Sequence, residues 1–597
     1  MKITKKSILA LAATLFIASS VFAQEDFGDF GGDDFGGDFG GDSSDVAPAL
    51  TFNGSAEVIA RLFPRRSDSQ FDTHDYDSSF TDFASKATWI NAAFALNATY
   101  SGAYSDLDAK LKFDRPILTG YYEDIVQEFT ARAYLGNFQI EAGKMKLVWG
   151  KGDKVHVLDN FNSNDYTDFI VPDYIDRRLA TPMLHIVYNA PFNARFEGVL
   201  TPWMTPDRLA ADGMWKPAAS NDLTNMVTEA LTTNLGNKFS AYNTNSITTA
   251  AAAVAYQADP NNAAKKAAYE TAAAALTTSA TDYLTTLTKT SSFKADSLYP
   301  NTMQLKYGQA GLRSTFTIGS VDLGVSYYAG HYKQPTANLQ NTIQNEVANI
   351  PTATLTSAAP LLMQYGMTQT ELATLGAAIT GGSLKKSAFD ALPSLDYDML
   401  QVFGLEAATT LGPFNTRAEF AYNLTKDIAG DDPWVKNNSI AWEAGFDINL
   451  PIHNVNLNFQ TTGKYVLKND KIENGGIEIA GVTIPWKAMQ AMGARTGNSK
   501  YKNYDTDYDK TGKYIRNQFI VDITDTFNHE KIKLDVKGIF QLETKDLILM
   551  PSLSFRLGGD DFTLTTSGLV LWCYDEDSEY WAWRNNDFVS VGIKYQF

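Results

Sequence analysis

Apolar and polar residues alternate with a period of two over most of the chain beyond residue 49. In 414–424, Phe414, Phe420 and Tyr422 alternate with Arg417 and Glu419. This period predicts β-strands that have one apolar and one polar face. The same pattern recurs in 192–200, 440–450 and 531–543. Charged residues fall on one face of these strands and aromatic residues on the other with high regularity. This regularity favours strands that lie between lipid and an aqueous interior over the strands of a soluble β-sandwich.

The alternation predicts about eighteen strands joined alternately by tight turns and by longer connections. An even number of strands puts both chain ends on the same side of an antiparallel transmembrane β-barrel. Two connections on the opposite side, around 115–120 and 544–546, are short, so a range of 16–18 strands is predicted. The predicted strands are 50–63, 86–100, 105–114, 121–134, 136–149, 181–190, 193–202, 302–317, 320–332, 397–411, 413–424, 437–450, 453–467, 513–528, 530–544, 547–557, 561–573 and 587–597.

Three inserts interrupt the predicted barrel, at 203–301, 333–396 and 468–512. The first two contain runs with a helical pattern, at 250–258, 263–287 and 361–378. Connections of this length usually carry structure of their own, so we expect helical extracellular inserts that cap or narrow the barrel or form a surface module. The alternative is surface mass under little structural constraint.

The first 48 residues predict export. Lys2, Lys5 and Lys6 precede an apolar run at 8–18, and Val21 and Ala23 are the small residues that a signal peptidase recognises. Residues 1–23 are therefore predicted to be a cleaved signal peptide. Residues 24–48 are rich in Gly, Phe and Asp, and they predict a disordered acidic periplasmic tail. Because Cys573 is the single cysteine, an intramolecular disulfide is excluded.

The last strand carries an ending typical of one class of membrane protein. Ser590, Gly592, Tyr595 and Phe597 closely resemble the C-terminal β-signal of bacterial outer-membrane barrels. The resemblance implies the outer membrane of a diderm bacterium, contact with its lipid, and the barrel-assembly machinery as a partner. Gly592, Tyr595 and Phe597 are the residues assigned to this assembly signal.

Composition agrees with a large β-protein and excludes one class of partner. The chain has 29 Tyr, 35 Phe and 10 Trp in 597 residues, with a formal net charge of -18. Aromatic residues combined with many polar ones suit a barrel wall that is apolar outside and polar inside. Nucleic acid is not expected as a partner, because the net charge is strongly negative.

The most distinctive local run is GKMKLVWGKGD at 143–153, followed by a loop rich in Asn and Asp. The alternation slips near Gly143, which predicts a β-bulge, and it places Trp149 near an outer aromatic girdle. With its Gly-Lys-x4-Trp-Gly strand end, the region 136–210 resembles a porin-like family of bacterial outer-membrane β-barrels of uncharacterised function. The resemblance implies passage of small molecules, with no catalytic residue.

Charged residues near this run and on the polar strand faces are candidates for lining or constricting a pore. A transverse field would arise between a basic zone and acids of the following loop. The basic zone consists of Lys144, Lys146, Lys151, Arg177 and Arg178, and the acids are Asp153, Asp159, Asp165 and Asp168. The plainer interpretation is that these loop charges are solvated. The complete set of candidates is Lys144, Lys146, Arg177, Arg178, Arg195, Glu197, Arg417, Glu419, Lys531, Lys533 and Lys537.

We therefore expect an outer-membrane porin or channel through which small solutes diffuse. A surface adhesin or interaction protein anchored by a barrel, and a transporter of lipids or hydrophobic compounds, are the alternatives. An enzyme is not expected, because the six histidines lack zinc-site spacing and no Gly-x-Ser-x-Gly motif occurs. No cofactor and no metal are predicted, and a monomer and a trimer are both compatible with the sequence.

Overall fold

The fold is a closed antiparallel β-barrel. A computed structural model describes residues 49–64, 88–211, 213–491, 514–558, 561–574, 578 and 580–597, and in them eighteen strands form one sheet. The first strand pairs with the second and also with the last, which closes the wall. The predicted fold class is confirmed, at the upper end of the predicted strand number. The predicted signal peptide and acidic tail lie outside the described residues.

Each strand occupies a segment that the alternation predicts. The barrel strands are β1 (Ala49–Leu62), β2 (Thr88–Ser101), β3 (Ser105–Phe113), β4 (Val126–Leu135), β5 (Phe138–Met145), β6 (Thr181–Ala190), β7 (Ala194–Thr201), β8 (Gln309–Ile318), β9 (Val321–His331), β10 (Met399–Leu411), β11 (Phe414–Leu424), β12 (Ser439–Asn449), β13 (Asn456–Val466), β14 (Ile515–Phe527), β15 (Ile532–Gln541), β16 (Leu547–Leu557), β17 (Phe562–Trp572) and β18 (Phe588–Gln596).

The wall is apolar outside and polar inside. On β18, Val589 and Val591 are 58% and 52% exposed on the outer surface, whereas Ser590 is buried towards the lumen. A closed wall leaves no strand edge unpaired, and the apolar outer face is the surface that lipid requires. The barrel therefore meets both physical conditions for spanning a membrane with strands.

The two ends of the barrel differ in the length of their connections. The start of β1, the end of β18 and the tight turns lie at one end, whereas the three inserts leave from the other. Three predicted strand limits are wrong. Tyr122–Asp124 and Leu305–Tyr307 form 3-10 turns, so β4 and β8 begin later than predicted, and β5 ends at Met145 because the chain turns inward there.

The predicted bulge at Gly143 is wrong. Gly143 and Lys144 continue the regular pairing of β5 with both β4 and β6. Position 143 needs a glycine for two other reasons. Its φ is +151°, and a Cβ there would lie 1.9 Å from the carbonyl oxygen of Phe129. Because the alternation does not slip, Lys144 shares the outer face with its cross-strand partner Phe129.

The long connections carry helices. The connection after β7 forms a hairpin of two long helices, and the connection after β9 forms three shorter ones. The predicted helix at 361–378 is wrong in one respect, because residues 365–368 separate two helices. The helices are α1 (Arg115–Thr119), α2 (Tyr174–Arg177), α3 (Ala218–Ala258), α4 (Ala263–Ser292), α5 (Gln340–Ala348), α6 (Thr352–Gln364), α7 (Gln369–Thr380), α8 (Asn469–Glu473) and α9 (Trp486–Ala491).

Residues from two connections build a cap with an apolar core of its own. Ile343 and Leu375 from the connection after β9 are buried with Ile477, Ile484 and Trp486 from the connection after β13. A β-hairpin of Gly476–Ile479 and Val482–Pro485 completes this cap. Among the described helices, none combines the length and the apolar character needed to cross a bilayer.

Phe597 is expected to matter for assembly beyond its apolar area. Its backbone pairs with Gly54 of β1 through hydrogen bonds of 2.9 and 3.0 Å, and its ring lies 6.1 Å from that of Phe94. We expect Phe597→Ala to lower the yield of barrel that shows heat-modifiable migration on gels. Val589→Ala, on the outer face of the same strand, is the control, and equal yields for the two variants would contradict the assignment of the assembly signal.

Candidate functional site

Residues 146–180, which we call the inward segment, leave the end of β5 and fold into the lumen. Trp149 and Phe161 of this segment are each only 1% exposed. They are buried together with wall residues whose side chains face the lumen, among them Met183 and Val199. The segment is therefore held inside the barrel by an apolar contact with its wall.

Small wall residues make room for the apolar side chains of the inward segment. A Cβ at Gly311 on β8 would lie 2.7 Å from both the Trp149 and Phe161 rings, and one at Gly404 on β10 would lie 2.6 Å from Leu158. The Trp149 and Phe161 rings pack edge to face with centroids 4.9 Å apart. The prediction that Trp149 belongs to an outer aromatic girdle is wrong, because this contact buries it inside.

Glu419 of β11 is the main polar anchor of the inward segment. Its carboxylate accepts hydrogen bonds from the backbone N–H groups of Gly152 (2.6 Å), Val157 (2.8 Å) and Leu158 (3.2 Å), and it lies 2.9 Å from Nδ1 of His156. Gly150 lets the backbone approach, because a Cβ there would lie 2.1 Å from the carboxylate. Charge-assisted bonds of this kind are among the strongest in proteins.

A second set of contacts ties the same part of the segment to β13 and β14. The Lys154 backbone N–H donates to Oε1 of Gln460 at 3.1 Å, and its ammonium group lies 3.2 Å from Asp522. Nδ2 of Asn458 donates to Asp153 at 2.5 Å. Strands β8, β10, β11, β13 and β14 thus contact residues 149–161 of the inward segment.

The far part of the inward segment reaches the opposite wall. Asp168 accepts two hydrogen bonds from the Arg61 guanidinium of β1, at 2.5 and 2.8 Å. Phe169 stacks on Trp215 with ring centroids 4.8 Å apart. Asp173 forms an ion pair with Lys537 of β15. Since its two parts are attached to different sides of the barrel, the segment crosses the lumen.

An internal ion pair stiffens the inward segment. Arg178 lies 2.5 Å from Asp159, and both side chains are almost completely buried. The Tyr174 hydroxyl donates to the same carboxylate at 2.6 Å. Ser163–Tyr166 pairs with Arg178–Leu179 and with Arg208–Leu209 in a small sheet. These contacts hold the inward segment in one shape.

Charges on the wall beside the segment are paired in a chain across neighbouring strands. His185 of β6 lies 2.7 Å from Glu141 and 2.9 Å from Glu197. Arg313 of β8 continues the chain, 3.2 Å from Glu197 and 2.5 Å from Glu406. Buried charges of this kind are tolerated because each has an opposite charge beside it.

The structure brings some of the predicted pore residues together and separates others. Three of them face the lumen beside the inward segment: Glu419, Arg417 and Glu197. Arg195 donates a hydrogen bond to Glu197. The ammonium group of Lys146 donates to the Ile175 carbonyl at 2.8 Å. Arg178 is an internal anchor of the segment, and Arg177 is half-buried in α2. Lys533 is exposed on the inner face of β15, and Lys537 contacts the segment.

Two predicted pore residues lie elsewhere. Lys144 is on the outer face, where its ammonium group donates to the Val126 carbonyl at 2.7 Å. It was misplaced because the expected bulge does not occur. Lys531 lies in the tight turn before β15, because that strand begins one residue later, at Ile532.

Sequence reasoning missed the residues that hold the segment inside. Met183, Val199, Leu400, Val402 and Ala421 are apolar side chains on the lumen faces of β6, β7, β10 and β11. Apolar residues on a face that is otherwise polar were the available signal, because a lumen filled only with water gives them no reason to be there. Gly311 and Gly404 on the lumen face were a weaker signal that another part of the chain packs closely against this wall.

The protonation of His156 strengthens the anchor. Burial opposes its charged form, but the hydrogen bond that the imidazole donates to Glu419 and the charge of that carboxylate prevail and raise the pKa of His156 above its usual 6.5. The stabilisation is complete below pH 6.5 and is lost as the pH rises through the raised pKa. The anchor is therefore stronger under mildly acidic conditions than under alkaline ones.

No protein-family model matches the chain, and no curated protein matches it. Solved structures of similar shape include a BenF-like porin from Pseudomonas fluorescens Pf-5, with 8% identity, a TM-score of 0.39, and coverage of 92% of this chain and 98% of that one. OccAB4 of Acinetobacter baumannii has 9% identity, a TM-score of 0.39, and coverage of 93% and 100%.

A third similar structure is Wzi of Escherichia coli, described as a carbohydrate-binding β-barrel involved in group 1 capsule assembly. It has 9% identity and a TM-score of 0.36, with coverage of 92% of this chain and 84% of that one.

Proposed function

We propose that the protein is an outer-membrane channel for small solutes, in which the inward segment forms the constriction. The observation that carries the proposal is the attachment of this segment to both sides of a closed barrel, through Glu419 on one side and Arg61 on the other. A barrel of this strand number leaves an aqueous passage unless something fills it. A segment fixed across the lumen narrows that passage.

Charge supports a polar passage rather than a route for lipids. The inner wall carries Glu57, Lys533 and Asp535 among many other polar residues, whereas apolar residues dominate the outer face. Lipids and hydrophobic compounds would need an apolar pocket or a lateral opening, and the wall pairs without a break from β1 to β18 and back to β1. Water-soluble compounds are the class of solute that fits.

Planar lipid bilayers provide the test. We expect the purified chain to produce stable, stepwise increases in current, because the inner wall of the barrel is polar. Protein unfolded by heat before it is added is the control. A barrel that is folded by gel migration and circular dichroism but gives no current steps would contradict the channel.

A surface interaction protein remains the second candidate, and the hairpin of α3 and α4 favours it. The 41 residues of α3 correspond to a length of about 60 Å at 1.5 Å per residue. The hairpin is held by rings such as Tyr242 and Tyr283, whose centroids are 5.9 Å apart. Replacing 225–288 with a short linker is expected to leave conductance unchanged. An adhesin would be favoured if neither the unmodified chain nor this variant conducted ions, and if the variant folded normally but no longer bound cells.

A further inference from the structure

We propose that Glu419, Glu443 and His156 form a proton-controlled latch, which holds the inward segment against the wall at acidic pH and releases it as the pH rises. The proposal rests on the proposed channel function, because release is detected as a wider passage. It concerns the part of the segment from Gly150 to Leu158, which the Glu419 carboxylate binds.

The two carboxyl groups of the latch are direct neighbours on the wall. Glu419 of β11 and Glu443 of β12 are paired across the strands and share the lumen face. Side chains paired in this way have Cβ atoms about 5 Å apart. Glu419 is satisfied by the segment, whereas Glu443 is only 1% exposed and neither of its carboxyl oxygens has a hydrogen-bond partner among the described residues.

The charges that face Glu443 come from three elements. The inward segment contributes His156 and Asp153, and β11 contributes Glu419 and Arg417. Arg417 is engaged by Asp447. On β10, Glu406 faces Glu419 and is engaged by Arg313 at 2.5 Å. His156 is therefore the cation that contacts Glu419 directly, 2.9 Å from its carboxylate, and it belongs to the segment rather than to the wall.

Protons consequently decide whether the segment is attracted or repelled. When His156 is charged and Glu443 is neutral, the imidazolium balances the Glu419 carboxylate and the buried site carries no excess charge. When His156 loses its proton, that balance is lost. An ionised Glu443 would then lie unpaired beside Glu419, and both like-charge repulsion and the cost of burying a charge favour a position of the segment that admits water.

Conductance as a function of pH tests the latch. Between about pH 5 and about pH 8, the range in which histidine changes charge, we expect the single-channel conductance to rise at least about twofold. His156→Gln keeps a hydrogen-bond donor but cannot be protonated, so its conductance should stay near the high-pH level of the unmodified chain. Glu443→Gln removes the second charge and should reduce the rise.

His453→Gln is the matched control. His453 pairs with Asp525 at 2.7 Å, as His156 does with Glu419, but it lies in a tight turn at the other end of the barrel. This variant should retain the full pH dependence. A rise that persists in His156→Gln would overturn the latch, and so would a rise that His453→Gln abolishes.

A disulfide that fixes the segment to the wall distinguishes two explanations of the rise in conductance, movement of the segment and a change of charge in the pore. Leu158→Cys and Gly404→Cys, combined with Cys573→Ser, place two thiols where Leu158 Cδ2 and the Cβ position of Gly404 are 2.6 Å apart. In the oxidised protein the rise should disappear, and reduction should restore it. A rise that persists while the disulfide is intact overturns the latch. Absence of current at every pH in the unmodified chain would instead overturn the channel itself.

Discussion

Arg313→Met is expected to destabilise the barrel by about 3–5 kcal/mol, the range observed when one partner of a buried ion pair is removed. Arg313 lies between Glu197 and Glu406, which are both almost completely buried. Without the guanidinium, Glu406 keeps its burial but loses the cation that lies 2.5 Å away. Unfolding in urea, followed by tryptophan fluorescence in detergent, measures the change.

Arg556→Met is the matched control for this substitution, because Arg556 is exposed at the end of β16. Its effect should stay within about 0.5 kcal/mol, as is usual for exposed positions. Equal effects of the two substitutions would show that the chain of wall charges contributes little to stability.

Glu419→Ala is expected to release the first part of the inward segment. The substitution leaves the N–H groups of Gly152, Val157 and Leu158 without their acceptor, and each buried donor left unsatisfied costs about 1–3 kcal/mol. Local opening should therefore become at least about tenfold more frequent. A cysteine at Leu158, in a Cys573→Ser background, reports the opening through its rate of reaction with a hydrophilic maleimide.

Glu57→Ala supplies the control for the labelling rate. Glu57 is a carboxylate on the lumen face of β1, where it pairs with Lys594 across the strands. The labelling rate at position 158 should not change in this variant. If Glu419→Ala left the rate unchanged as well, the apolar contacts of Trp149 and Phe161 alone would account for the position of the segment.

The barrel was predictable because its physical constraint acts on every residue of every strand. Lipid on one side and water on the other force the period of two, so Val589 and Ser590 could be assigned to opposite faces from the sequence alone. The turns were equally visible, since residues such as Gly136 and Gly319 adopt positive φ where the strands reverse. These signals are local and need no knowledge of tertiary contacts.

The inward segment was not predictable in the same way, because its contacts are far apart in sequence. Gly152 and Glu419 are separated by 267 residues, and nothing in the run GKGD indicates a carboxylate on β11. A segment rich in Asn and Asp has the composition of a solvated loop. Trp149 was placed near an outer aromatic girdle because an aromatic residue at a strand end suits both such a girdle and a buried anchor.

The single-channel conductance of a variant that lacks residues 150–160 tests most directly whether the inward segment narrows the lumen. Replacing these residues with a short Gly-Ser linker removes every backbone donor to Glu419 and leaves all eighteen strands in place. If the segment narrows the lumen, the single-channel conductance should increase several-fold over that of the unmodified chain. An unchanged conductance in a folded barrel would show that the constriction lies elsewhere.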